Sequence, residues 1–176
     1  MTMPLNKPYQ FAYVVKKLEP AMERWIRTTG AGPFFLTDNK MLQNPMYRGS
    51  PSRASYRIAM GFCGDVQIEL IEQTNDEPSI YRELIDRQGE GYHHFMPMIA
   101  DLDAAVAAYA REDCEVAMTA DIPGIGRLAY VDGTAKFGGF IELVEPSEIL
   151  TQAVAFQKQA SVGWDGKDPL RPLPVG

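Results

Sequence analysis

The apolar positions of this chain form a short run followed by a helical spacing, and that arrangement occurs twice. Gln10-Phe11-Ala12-Tyr13-Val14-Val15 reads as a strand; Ala21, Met22, Trp25 and Ile26 then share one face of a helix over about 19–29, with Gly30 as its stop. His94-Phe95-Met96-Pro97-Met98-Ile99 repeats the strand, and Leu102, Ala105 and Tyr109 repeat the helix. The matched pairs Gln10/His94, Leu18/Leu102, Ala21/Ala105 and Trp25/Tyr109 are all 84 positions apart (94 − 10 = 84). Ile68-Glu69-Leu70-Ile71-Glu72 and Ile141-Glu142-Leu143-Val144-Glu145 form a further pair, as do Arg57-Ile58-Ala59-Met60 and Arg127-Leu128-Ala129-Tyr130. Three matches in one order imply a duplicated unit.

Each unit reads strand–helix–strand–strand–strand. In the first, Phe34-Phe35-Leu36 is a short strand, and strands over 54–62 and 66–73 form a hairpin across Cys63-Gly64-Asp65. Between them, 38–53 is rich in Asn, Pro, Gly and Ser and is expected to be a loop. In the second unit the pattern predicts a strand over 92–99 and a helix over 102–112 capped by Asp101. Strands follow near 115–119, 127–131 and 139–145, with Gly124-Ile125-Gly126 as a turn. Between the units a helix is expected over 77–88, with Asp76 as N-cap, Pro78 in its first turn and Gly89 as its end. Ser147 caps a further helix through about 159, and Pro169-Leu170-Arg171-Pro172-Leu173-Pro174 is an extended arm or loose tail. The fold class is therefore α+β: two paired βαβββ units whose curved sheets enclose one cleft, with a C-terminal arm. The boundaries are 1–73 and 91–146 for the units, 74–90 for the connecting helix and 147–176 for the helix and tail, within one structural domain.

Composition narrows the function classes. The 176 residues carry a net charge of −6, which argues against nucleic acid and anionic membrane surfaces, since both need clustered Lys and Arg. No apolar run approaches the ~20 residues that span a bilayer. The first eight residues lack the apolar stretch of a signal peptide, and Cys63 and Cys114 are too few for a disulfide framework, so a reducing cytoplasm is expected.

The chemistry lies in polar residues set on apolar strands. Residues two apart share a face of a strand, so Glu69 and Glu142 point opposite to their apolar neighbours, which face the helices. A carboxylate in an apolar cleft costs several kcal/mol unless paired, and a divalent cation is an efficient partner for two of them. Gln10, Glu69, His94 and Glu142 stand at matched positions of the two units and form the candidate metal site. One imidazole and three oxygens suit Zn²⁺, Ni²⁺, Co²⁺ or Mn²⁺. His93 faces the other side of the strand by parity and is expected to be a helix-facing or hydrogen-bonded histidine. Arg57 and Arg127 are weaker candidates for binding a substrate carboxylate or phosphate in the cleft, the alternative being ion pairs at a sheet edge.

The duplicated unit with these four positions resembles the vicinal oxygen chelate superfamily, which includes glyoxalase I, methylmalonyl-CoA epimerase, extradiol dioxygenases and the bleomycin- and fosfomycin-resistance proteins. The likeness runs over about 9–145. Locally it is strongest to the epimerases, in Ile68-Glu69-Leu70-Ile71-Glu72, Pro78-Ser79-Ile80, Gly89-Glu90-Gly91-Tyr92-His93-His94 and Gly138-Gly139-Phe140-Ile141-Glu142-Leu143. It implies that His94 is the ligand of the doublet, that the protein is a homodimer, and that a ligand glutamate, Glu142 or Glu69, serves as catalytic base. Three departures stand out. Epimerases have His where this chain has Gln10, whereas one type of glyoxalase I uses Gln with two Glu and one His. Pro97 interrupts a strand. The strand around Tyr56-Arg57-Ile58 has no acidic residue to match the epimerases' second catalytic Glu. The resemblance thus implies a metal-dependent lyase, isomerase or epimerase that removes a proton beside the carbonyl of a small substrate with an apolar part. The alternative is a metal-free binding protein of the resistance type.

Overall fold

The computed structural model describes residues 5–173; the first four residues of the expected signal-free N-terminus and Pro174 of the expected tail lie outside that range. The first unit consists of β1 (Leu5–Val14), α1 (Leu18–Thr29), β2 (Phe34–Asp38), β5 (Tyr56–Cys63) and β6 (Val66–Gln73). The second consists of β7 (Gly91–Ile99), α3 (Leu102–Ala110), β8 (Val116–Ile122), β9 (Gly126–Val131) and β10 (Phe140–Val144). Helix α2 (Ile80–Gln88) joins them. A short helix α4 (Thr134–Phe137), which the sequence pattern did not indicate, precedes β10. Helix α5 (Glu148–Ser161) and a short strand β11 (Leu170–Pro172) complete the chain.

The strands form one sheet in the order β11-β2-β5-β6-β1-β7-β10-β9-β8, extended by β3 (Gln43–Tyr47) and β4 (Ser50–Pro51). β1 and β7 are antiparallel neighbours at its centre, and each pairs in parallel with the last strand of its own unit, β6 and β10. The two units are thereby mirrored in strand order about the β1–β7 seam.

The helices of the units pack alike on the outer face. Leu18, Ala21 and Met22 of α1 lie against Ala59, Ile68 and Leu70, while Leu102, Ala105 and Tyr109 of α3 lie against Ala129, Ile141 and Leu143. Gly30 ends α1 in the left-handed region at φ 73°, where a Cβ would be strained. A third apolar cluster lines the inner face, joining Ala12, Val14, Tyr56, Leu128 and Tyr130 to Ile80, Tyr81 and Leu84 of α2. With helices outside and this cluster inside, β6 and β10 are buried on both faces, so their mid-strand glutamates are buried too.

Several expectations need adjusting. The segment 38–53 is not a plain loop: after a short 3-10 turn at Asn39–Met41 it crosses to the second unit, where β3 pairs antiparallel with β8. Arg48 secures the crossing with hydrogen bonds to Glu83 and Asp132. Helix α2 begins at Ile80 because Ser79, rather than Asp76, accepts from the amides of Tyr81 and Arg82. The C-terminal arm is held in the sheet, with β11 parallel to β2.

Candidate functional site

Strand register brings three of the four predicted ligands together. Gln10 is opposite Gln67 across β1–β6, and Glu69 follows two residues on; His94 is opposite Phe140 across β7–β10, and Glu142 follows two residues on. Ala12 is registered against both Glu69 and His94, and at that point of the sheet it contributes only a methyl group. His94 Nε2 is 2.8 Å from Glu142 Oε2 and 3.1 Å from Glu69 Oε2, and the donor atoms of the trio lie within 4.8 Å of one another. All three side chains are buried.

Gln10 stands on the same inner wall and is also buried. Its Nε2 donates to Gln67 Oε1 at 2.8 Å, and Gln67 Nε2 donates to Gln157 Oε1 of α5 at 2.6 Å. Gln10 Oε1 is left without a partner, as is Glu69 Oε2, which lies near His94 Nε2 but accepts no hydrogen bond. Unpaired buried oxygens are costly in an apolar interior. Glu69 Oε2 beside the His94 imidazole and the Glu142 carboxylate, with Gln10 Oε1 on the same cavity wall, forms a donor set suited to a borderline-to-hard divalent ion. The residues fit such an ion.

The histidine doublet departs from simple strand parity. Ala12 is opposite His94 and Tyr13 is opposite Tyr92, so His93 is the extra residue of a β-bulge. Its ring therefore does not turn to the outer face. His93 Nδ1 meets His94 Nδ1 at 2.8 Å, its Nε2 meets the carbonyl of Ile80 in α2 at 3.2 Å, and the ring stacks on Phe140. Gly139 permits this close passage, since a Cβ there would come within 2.5 Å of the His93 carbonyl oxygen. The expected hydrogen-bonded role holds for His93, but its partner is the ligand candidate itself.

Protonation follows from these contacts. Burial, and then the charge of His94, push the His93 pKa well below its usual value, so His93 is neutral. The Ile80 carbonyl can only accept, so His93 Nε2 carries the proton and His93 Nδ1 accepts from His94 Nδ1–H. That leaves His94 Nε2 as the nitrogen facing the two carboxylates. Burial lowers the His94 pKa, but Glu142 and Glu69 outweigh it and raise it to about 9. Burial, reinforced by repulsion from Glu142 and opposed by His94, raises that of Glu69. Without a metal ion, a proton on His94 supplies the positive charge between the carboxylates.

Above the site lies a cavity of about 180 Å³, comparable to the ~150 Å³ apolar cavity known to hold benzene. Ile58, Met60, Met96, Ile125 and Leu128 supply much of its apolar wall, and Tyr9, Tyr56, Tyr81 and Tyr130 also line it. Leu150, Ala153, Val154 and Gln157 of α5, with Leu173, close it on one side.

Arg57 and Arg127 do not face this cavity, and the cleft-facing expectation is corrected. Since Ile58, Met60 and Leu128 point inward, the arginines next to them point outward. Arg57 bonds Glu19 of α1 and Glu72, and Arg127 bonds Asp103 of α3 and Glu145. Each arginine ties the helix of its unit to its sheet, so the repeated arginine records a repeated clamp. Sequence reasoning missed Gln67 and Gln157. Gln67 could have been found, being two residues before Glu69 and hence on the same face; Gln157 gave no local signal.

The profile of the Glyoxalase/Bleomycin resistance protein/Dioxygenase superfamily matches residues 9–130, and the chain belongs to that superfamily. The fold is similar to that of methylmalonyl-CoA epimerase from Mycobacterium tuberculosis, at 18% identity over 87% of this chain and 96% of that one, with a TM-score of 0.60. A hypothetical protein from Bacillus halodurans C-125 matches at 17% identity over 81% and 96%, with a TM-score of 0.58. A Streptomyces coelicolor methylmalonyl-CoA epimerase variant in complex with 2-nitronate-propionyl-CoA matches at 21% identity over 82% and 97%, also with a TM-score of 0.58. No curated protein matches the chain at significant similarity.

Proposed function

We propose that this protein is a metal-dependent lyase, isomerase or epimerase that abstracts a proton beside a substrate carbonyl. The observation that carries this reading is the buried Glu69–His94–Glu142 trio, whose two glutamates line an apolar cavity. Gln10, Glu69, His94 and Glu142 would hold the ion. A divalent ion bound there supplies Lewis-acid polarisation of a carbonyl, which lowers the cost of the enolate charge. The two glutamates balance the ion's charge and Gln10 is neutral, so the site can still accept developing negative charge.

Glu142 is the base. It borders the cavity, and its Oε2 is within hydrogen-bonding distance of His94 Nε2. As the substrate C–H bond breaks, its electron pair remains on the substrate as an enolate and the proton passes to the Glu142 carboxylate. For a substrate with a hydroxyl on that carbon, delivery of the proton to the former carbonyl carbon, with the hydroxyl proton passing to the other oxygen, completes an isomerisation. Protonation of the original carbon by Glu69 from the opposite side, with the abstracted proton left on Glu142, completes an epimerisation. The apolar wall keeps the surroundings of the enolate poor in water, which would otherwise screen the charges that stabilise it.

The cavity wall also limits the substrate. Among the described residues no Lys or Arg lines it, and Asp38 adds a further carboxyl at its edge. The residues outside the described range contain no Lys, Arg or His side chain. An anionic group desolvated there would have no protein cation to pair with. The substrate class that follows is an uncharged carbonyl compound with a compact apolar body, in contrast to the acyl-CoA bound by the Streptomyces coelicolor relative.

The test is incubation of Zn²⁺-, Ni²⁺-, Co²⁺- or Mn²⁺-loaded protein in D₂O with small neutral α-hydroxy ketones and 2-oxo thiohemiacetals. Deuterium should enter at the carbon beside the carbonyl, and Glu142→Gln should abolish the exchange more completely than it lowers ligand binding. Exchange at the wild-type rate in the variant would eliminate Glu142 as base. Metal-independent binding without any exchange would instead favour a resistance-type binding protein, a reading the apolar cavity also supports.

A further inference from the structure

A glutamine ligand has an orientation problem that a carboxylate lacks. One end of its amide is an oxygen that attracts a cation; the other is an NH₂ group that repels it. On a cavity wall shared with Glu69 and Glu142, and with no metal present, the NH₂ end is the one that the carboxylates attract. Gln10 must therefore be held with its oxygen turned into the cleft.

We propose that Gln67 and Gln157 are positioning residues that hold Gln10 in this way, making helix α5 part of the metal site. The inference rests on Gln10 being a ligand. The hydrogen bonds run in one direction, from Gln10 Nε2 to Gln67 Oε1 and from Gln67 Nε2 to Gln157 Oε1, and the free end of the chain is Gln10 Oε1. All three side chains are buried, so water does not readily substitute for a missing link. Gln157 is also the one fully buried residue of the 14-residue helix α5, an unusual place for an amide on a helix whose Ile149 and Phe156 are only half-buried. A packing role alone would favour an apolar side chain there. Docking of α5 is completed by Lys158 on Asp65 and by Phe156 against Phe35. The same helix carries Leu150, Ala153 and Val154 over the cavity, so the residues that close the cavity and the amide that sets Gln10 belong to one element.

Coupling of this kind is reciprocal: if α5 docking favours metal binding, metal binding must favour α5 docking. The experiment uses the full chain with Zn²⁺ alone as probe. Zn²⁺ affinity is measured by chelator competition after the metal-free thermal midpoint of each variant has shown that it folds. Gln157→Leu and Gln67→Met should each weaken Zn²⁺ binding about tenfold, in the range seen when outer partners of ligands are removed. The double variant should lose little more than either single one, because both break the same chain. Gln157→Glu keeps the acceptor and should bind Zn²⁺ no more weakly than wild type, a rescue that a merely structural role would not produce. Zn²⁺ should also slow amide hydrogen exchange across α5 in wild type but not in Gln67→Met. Wild-type affinity in Gln157→Leu and Gln67→Met, or equal losses in Gln157→Leu and Gln157→Glu, would overturn the positioning role while leaving the metal reading intact. Failure of wild-type protein to bind Zn²⁺ would overturn both.

Discussion

The two units place Gln10 and His94 at the same register position but support them differently. Gln10 is backed by the amide of Gln67, which reaches out to α5; His94 is backed by the imidazole of His93, which reaches out to the Ile80 carbonyl of α2. At the position of Gln67, the second unit has Phe140, on which His93 stacks. A β-bulge brings His93 into line, whereas the first unit uses the regular pleat. The duplicated backbone thus fixes where the donors stand. Each donor's orientation depends on a different helix outside the repeat.

This contrast can be tested from its strongest point downward. His94→Ala removes the only nitrogen donor and leaves two buried carboxylates facing each other, so Zn²⁺ affinity should fall at least ~100-fold by chelator competition. Gln10→Ala, which removes a neutral oxygen, should cost only about tenfold; equal losses would mean that the two halves contribute alike. His93→Ala should retain the metal but weaken it roughly tenfold, because His94 loses the acceptor that fixes its ring. Wild-type affinity in that variant would show that the bulge orients nothing.

A pH experiment probes the second half without metal. The folded-state pKa of His94 is raised from 6.5 to about 9, so its proton stabilises the fold fully below pH 6.5 and is lost as pH rises through 9. The raised pKa of Glu69 acts in the same direction, favouring the fold where that group is protonated. The metal-free thermal midpoint should therefore fall by roughly 5–10 °C between pH 6.5 and 9. His94→Gln should flatten the decline. Saturating Zn²⁺ should flatten it also, since the ion replaces the proton.

The smallest effect concerns the two arginine clamps. Arg57 reaches Glu72, a carboxylate with a side-chain exposure of only 7%, whereas the Glu145 partner of Arg127 is 36% exposed. Exposed ion pairs contribute little, and removing the partner of a buried carboxylate costs more. Arg57→Ala should lower the thermal midpoint by roughly 3 °C, and Arg127→Ala should leave it unchanged. The opposite order would mean that the units are not anchored as the clamp geometry indicates.

The sequence by itself determined the duplication, the strand–helix–three-strand order of each unit and the inward direction of Glu69 and Glu142. These are local properties: apolar spacing sets element type, and strand parity sets the face. Gly30, Asp101 and Ser147 end or cap their helices as their chemistry requires. The tertiary structure decided everything that depends on contacts between distant segments. The segment 38–53 has strand partners only because β8 offers a free edge in the other unit. Arg57 and Arg127 turn outward because parity with Ile58 and Leu128 coincides with carboxylates on α1 and α3. His93 joins His94 because a bulge interrupts the alternation that parity assumes. Gln157 lies 90 residues from Gln67, and nothing in the local pattern of α5 marks it. A buried hydrogen bond is specified by two surfaces meeting, and only the folded chain brings those surfaces together.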